Sequence, residues 1–175
     1  MGRHAARHSF VPHHYVFPGG RLDPADYRTK ARTQLRPEVQ KQLCAHCTPA
    51  RAHALAVTAA RETFEETGLA LGEVADGVLE PRLDTLDYLL RAITPASSPI
   101  RFHARFFAVE ASHLTGSLRS NGELLDLDWR PIGECLKLPI VDVTEYLLRR
   151  LAAEAQMGKA IAQLYSFRNG RIVVR

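Results

Sequence analysis

The chain has 175 residues, 46% of them hydrophobic, and a formal net charge of +4. One core of its own is within reach, whereas two full-sized domains, a fibrous polymer and a wholly disordered chain are excluded. The positive charge by itself suggests a polyanionic partner, but it is local: Met1 to Ala60 carries nine basic and three acidic residues and six of the eight histidines, and the remainder is net negative. Three cysteines (Cys44, Cys47, Cys135) are odd in number and too few for a disulfide framework, which points to a reducing, cytoplasmic setting. Cys44-Ala45-His46-Cys47 has no second ligand pair at zinc-site spacing and reads as two ordinary helix cysteines. No apolar run approaches the ~18 residues that span a bilayer, so no membrane partner is expected.

Tyr15-Val16-Phe17 is β-prone, and Pro18-Gly19-Gly20 ends it in a tight loop. Arg21 to His46 is polar without strand alternation, gains helical character from about Glu38, and reads as an insertion. Thr48-Pro49 supplies an N-cap and a first-turn proline for an Ala-rich helix that Gly68 ends. Tyr88–Ile93 and Arg101–Val109 read as strands joined by the turn-rich 94–99 segment, and Leu124–Trp129 as a further strand. Thr144–Gln156 has the spacing of an amphipathic helix, and the tail reads as a hairpin about Asn169-Gly170. The interspersed pattern predicts an α/β (α+β) fold without a doubly wound parallel sheet. No period of 20–50 residues repeats, which excludes a solenoid.

The informative stretch is Arg61-Glu62-Thr63-Phe64-Glu65-Glu66-Thr67-Gly68-Leu69. At ~100° per residue, Glu62, Glu65 and Glu66 share an arc of about 100°, while Ala52, Ala56, Ala59, Ala60 and Phe64 occupy another face. Like charges at i and i+4 near a helix C-terminus are unfavourable. Two readings remain open: a solvated face eased by Arg61, or carboxylates placed for a hard divalent cation, which prefers oxygen ligands and bridges to phosphates.

Gly20, Asp26 and the Arg61–Leu69 run, preceded by Phe17-Pro18-Gly19-Gly20, resemble the Nudix box G-x5-E-x7-R-E-U-x-E-E-x-G-U, where U is apolar. Asp26 stands where Glu is usual, Thr63 replaces an apolar residue, and residues 27–60 separate Asp26 from Arg61 where seven are usual. The resemblance implies a single Nudix domain over 1–175, a mixed β-sheet sandwiched between helices, with an insertion at about 27–53. The inserted box and Arg101-Phe102-His103-Ala104-Arg105-Phe106-Phe107 are similar to a subgroup related to coenzyme A diphosphatases. Coenzyme A hydrolases place Arg and Gly ahead of Phe-Pro-Gly-Gly, where this chain has Ser9 and His13, so coenzyme A enters as one candidate substrate. Family members also run an apolar strand into this region, whereas this chain begins at Met1-Gly2-Arg3: either that strand is missing or it starts late.

What the resemblance implies is hydrolysis of the diphosphate linkage of a nucleoside diphosphate derivative, of coenzyme A, ADP-ribose or dinucleotide type, with Mg2+ or Mn2+. Carried over, Glu62, Glu65 and Glu66 form the metal set with the Gly19 carbonyl, and Arg61 orients a glutamate. Glu123, in Ser120-Asn121-Gly122-Glu123, is the candidate general base, with Asp126, Asp128 and Glu110 behind it; otherwise it is a solvated turn residue. Strand alternation puts Arg101, His103 and Arg105 on one face, to hold phosphates or to face water. His4, His8, His13 and His14 are too loosely spaced for a metal site. Two alternatives are a non-catalytic Nudix-fold module binding nucleotides or RNA, and a nucleoside triphosphate pyrophosphohydrolase. Family precedent also implies a homodimer. The basic first sixty residues then read as a complement to a diphosphate substrate, as an insert's solvated surface, and last as a nucleic-acid footprint.

Overall fold

The computed structural model describes residues 1–6, 11–94, 102–157, 163–168 and 171–174. Ser9, Arg101, the turn from 95 and the Asn169-Gly170 turn lie outside them. Strands β1 (Gly2–His4) and β2 (Tyr15–Val16) come first, so the N-terminal strand begins immediately after Met1. A single 3-10 turn over Pro24–Tyr27 follows, then helices α1 (Pro37–Cys44) and α2 (Pro49–Thr67). Next come β3 (Leu69–Ala70), β4 (Gly72–Ala75), β5 (Val78–Pro81), β6 (Asp87–Ile93), β7 (His103–Ala108), β8 (Thr115–Gly116) and β9 (Leu124–Leu125). Helices α3 (Ile132–Cys135) and α4 (Asp142–Met157) and strands β10 (Gln163–Arg168) and β11 (Arg171–Val174) complete the order.

The largest sheet runs β11-β10-β6-β7, with β10 parallel to β6 and the other neighbours antiparallel. A bulge between Tyr88 and Leu90 shifts the β6–β7 register, so that Tyr88 and Phe107 face one side and Leu90 and Phe106 the other. On the first side α1 and α2 bury Val39, Leu43, Ala52, Ala56 and Val57 against Leu86 and Tyr88. On the second, Leu147 and Leu151 of α4 pack with Leu90, Phe106 and Phe17. The expected mixed sheet between helices is therefore what forms. A smaller sheet, β2-β1-β9, carries the Phe17-Pro18-Gly19-Gly20 loop away from β2.

Local sequence explains the central helix. The Thr48 side chain accepts a hydrogen bond from the Arg51 amide, Pro49 occupies the first turn, and Gly68 adopts the left-handed region at φ +72 while its amide donates to the Phe64 carbonyl. Alanines on its inner face let α2 approach the sheet closely.

The structure corrects several expectations. Residues 27–53 are solvated on their basic side but are also tied into the fold: Leu35, Val39 and Leu43 are buried in the core, the Arg32 amide donates to the Pro81 carbonyl, and the Thr33 hydroxyl donates to Asp84. The strand expected over Leu124–Trp129 pairs only at Leu124–Leu125, because Asp126 turns the chain at φ +51 and leaves Trp129 exposed. Only Cys44 ends α1, whereas Cys47 sits beyond it in the link to α2. The hairpin of β4 and β5 was not anticipated, although Asp76-Gly77, at φ +50 and +78, is a strong signal for a two-residue turn. Among the described residues no helix is long and apolar enough to cross a membrane.

Candidate active site

The last two turns of α2 bring the acids to the Gly19-Gly20 loop. Glu66 is 5% exposed, and its Oε2 accepts a hydrogen bond from the Gly19 amide at 3.0 Å. Glu62, one turn earlier, presses its carboxylate against Gly20 so closely that a Cβ there would lie 2.3–2.5 Å from its carboxyl atoms. Gly20 is thus required by the approach of an acid side chain. Glu65 is half exposed at the edge of the group.

Arg61 holds the arrangement. Its Nε donates to Asp26 Oδ1 at 2.9 Å and its Nη2 to Asp26 Oδ2 at 3.1 Å, a two-pronged ion pair. From Nη1 it reaches Glu62 Oε1 at 2.9 Å and Glu65 Oε2 at 3.0 Å, and Nη2 also donates to the Arg21 carbonyl at 3.2 Å. Asp26, 1% exposed, further accepts hydrogen bonds from the Asp23 amide and the Thr58 hydroxyl, both at 2.8 Å. Its oxygens are taken up by protein donors. Asp26 is therefore the anchor of Arg61, across the whole insertion. Burial alone would raise its pKa, but the bonds from Arg61, Asp23 and Thr58 outweigh that and hold it below the usual range. The same bonds to Asp26 raise the Arg61 pKa.

The two other acids behave oppositely. Burial lifts the Glu62 carboxyl above the ordinary range against the pull of Arg61, with Glu65 and Glu123 adding repulsion. Glu66 is pushed up to about 7, chiefly by burial, opposed by the Gly19 amide and reinforced by Glu62, Glu123 and Glu65. Glu123 is exposed in the loop before β9, where its carbonyl accepts the Ala5 amide, and its charge is felt by both glutamates. A pairing of β1 with β9 thus carries a residue about sixty positions distant to the end of α2.

Among the described residues no group of three or more His, Cys, Asp or Glu side chains is drawn into metal-holding geometry. Two carboxylates one helical turn apart, each tethered through one oxygen by Arg61 or Gly19, nevertheless suit a cation such as Mg2+, which takes one or two carboxylates and completes its shell with water and substrate phosphate. The residues present fit such an ion.

The other sequence candidates lie elsewhere. His103 and Arg105 of β7 line an open cleft of about 510 Å3 with Tyr27, His46, Thr48 and Arg51, at the opposite end of α2. Glu110 is exposed, before the 3-10 turn at Ala111–His113. Asp126 accepts hydrogen bonds from Tyr15 and pairs with Arg130 at 2.9 Å, while Asp128 accepts from the Trp129 amide at 2.7 Å. Sequence reasoning missed Thr58 and the anchoring role of Asp26. The signal was an uncompensated Thr on the acid side of α2.

No protein-family model and no curated protein matches the chain. Among solved structures, it resembles the crystal structure of a NUDIX hydrolase from Alicyclobacillus acidocaldarius at 30% identity and a TM-score of 0.71, over 91% of this chain and 86% of that one. With that likeness over nearly the full length of both, and with the acids of the box gathered on the glycine loop, the chain belongs to the Nudix hydrolase family. It is an enzyme of the Nudix hydrolase type.

Proposed function

We propose that the chain hydrolyses the diphosphate linkage of a nucleoside diphosphate derivative, such as ADP-ribose, coenzyme A or a dinucleotide, with Mg2+ or Mn2+ held by Glu62 and Glu66. The observation that carries this reading is the burial of Glu66 on the Gly19 amide beside Glu62, which gathers negative charge that a cation neutralises. When bound, the cation supplies positive charge to phosphate oxygens and acidifies water. Around it, Arg61 fixes the Glu62 and Glu65 carboxylates by charge-assisted hydrogen bonds, and Asp26 and Thr58 fix Arg61. Glu65 lies at the open edge, placed for an outer role toward the ion. The Gly19-Gly20 turn leaves space for backbone to approach substrate, with the Gly19 carbonyl as a further ligand. Glu123, exposed yet within electrostatic reach of both buried acids, accepts the proton of the attacking water.

Residues 1–175 then act as one Nudix domain, and its free cysteines suit the cytoplasm. A non-hydrolysing nucleotide- or RNA-binding module is disfavoured by the intact Glu62, Glu65 and Glu66 set. A panel of nucleoside diphosphate derivatives and nucleoside triphosphates with Mg2+, read for phosphate products, tests the proposal. Turnover of a diphosphate derivative lost in Glu66→Gln supports it, while full activity in that variant removes the metal assignment. Release of inorganic pyrophosphate from triphosphates alone selects the other hydrolytic reading.

A further inference from the structure

Strands β6 and β7 pair Arg91 directly opposite Arg105. Like charges in facing positions of an antiparallel pair repel and destabilise it. His103, two pairs further along opposite Ile93, accepts a hydrogen bond from Arg91 Nε through its ring nitrogen, a neutral acceptor that leaves both guanidinium charges in place. Arg51, in the first turn of α2, faces the same cleft, as does His46 from the insertion. Among the described residues, no carboxylate forms an ion pair with Arg51, Arg91 or Arg105. The first turn of α2 is also free of acidic side chains.

The electrostatics of the cleft agree with that census. Burial and then the cations Arg105, Arg91, Arg51 and His46 push the His103 pKa down to about 4, and every charged neighbour acting on it is basic. Arg105 is half-buried, and burial lowers its pKa as well. Arg51 and Arg105 line a concave surface of about 510 Å3, with Arg91 opposite Arg105 on the neighbouring strand, and the three guanidinium charges repel one another unless an anion or solvent ions screen them. A guanidinium fork matches phosphate geometry in two-pronged fashion.

The cleft is separate from the acid group. Eleven residues divide Arg51 from Glu62, about 16 Å along the helix axis. Both lie on the same side of α2, within about 20° of each other around it. Between them the Pro24–Tyr27 turn is clamped to the helix, since Asp26 binds Thr58 and Arg61 on one side while Tyr27 lines the cleft on the other. A diphosphate attacked beside Glu62 does not reach Arg51.

We propose that the cleft formed by the insertion and β7 is a second, phosphate-binding site, in which Arg51 and Arg105 grip a phosphate group distinct from the diphosphate at the acid cluster. The insertion builds it by carrying Tyr27, His46 and Thr48 over the edge of β7. The phosphate belongs either to a separate small phosphorylated ligand or to the far end of an extended substrate, and the two sources share the same recognition chemistry.

The test titrates inorganic phosphate into metal-free protein, followed by calorimetry or by amide chemical shifts. Wild type is expected to bind, the Arg51→Ala, Arg105→Ala double variant to bind at least tenfold more weakly, and Glu66→Gln to bind as wild type. Should Arg105→Ala disturb the sheet, Arg51→Ala alone, at an exposed position, is expected to weaken phosphate severalfold with unchanged circular dichroism. Equal affinity in wild type and the arginine variants, or no binding by wild type, overturns the site. Because the readout is binding without metal, the hydrolase reading and this one fail separately. For any diphosphate that the enzyme turns over, phosphate competition that disappears in Arg51→Ala assigns the site to the substrate's far phosphate. Simultaneous binding of phosphate and substrate assigns it to a separate ligand.

Discussion

Arg61 and Asp26 are joined by two parallel hydrogen bonds of 2.9 and 3.1 Å, although 35 positions separate them. The pair closes the loop that contains the whole insertion, and the remaining arm of Arg61 sets the Glu62 and Glu65 carboxylates. Disturbing the anchor therefore reaches both stability and the site.

Asp26→Ala is expected to destabilise the fold by roughly 2–4 kcal/mol, because it leaves a partly buried guanidinium without its main partner. Urea denaturation measures this, and activity should fall with it as Arg61 ceases to hold Glu62. The depressed Asp26 carboxyl also has a signed pH effect. Its contribution is present above the ordinary carboxylate pKa and is lost as pH falls through the lower folded value, so acid unfolding of Asp26→Asn should be less pH-dependent than that of wild type.

Glu66 predicts the reverse trend in metal-free protein. Its folded pKa of about 7 lies above the ordinary 4.5, so the unfolded chain releases this proton first. Stability then declines as pH rises from about 4.5 to 7 and levels off above. Glu66→Gln should raise metal-free stability at pH 8 by about 1–3 kcal/mol while abolishing the stabilisation that Mg2+ gives to wild type. Thermal melts with chelator and with Mg2+ show both effects; a variant less stable than wild type in chelator contradicts the burial argument.

Gly20→Ala should separate activity from folding. The nearest atoms that the added methyl meets are those at the end of the Glu62 side chain, which swings away at small cost in stability. Moved off its position, Glu62 no longer shares an ion with Glu66. We expect at least a tenfold loss in kcat with a melting temperature within a few degrees of wild type.

Leu43 tests whether the insertion is part of the core. It is 1% exposed among Val39, Ala52 and Leu86. Leu43→Ala should cost about 2–4 kcal/mol, as buried leucine truncations do, where a solvated insert would leave stability nearly unchanged.

Much of the helix was legible beforehand because its determinants are local. Thr48, Pro49 and Gly68 mark its ends, and the 3.6-residue period places Glu62, Glu65 and Glu66 on one arc whatever surrounds them. The β6–β7 pairing was equally readable from its two β-prone runs. By contrast, the Leu124–Trp129 run looked like a strand, yet Asp126 turns out of it, because Tyr15 and Arg130 offer its carboxylate partners that strand pairing would not.

The sequence by itself determined the family, the acid face of α2 and the glycine loop that faces it, since each rests on spacing within a few residues. Only the tertiary structure decided that Asp26 serves as the anchor of Arg61, that Leu35, Val39 and Leu43 of the insertion enter the core, and that Arg51 and Arg105 line one cleft. Those relations join residues tens of positions apart, where no local period survives. Which side chains meet is then set by the strand register and by how α1 and α2 pack on the sheet.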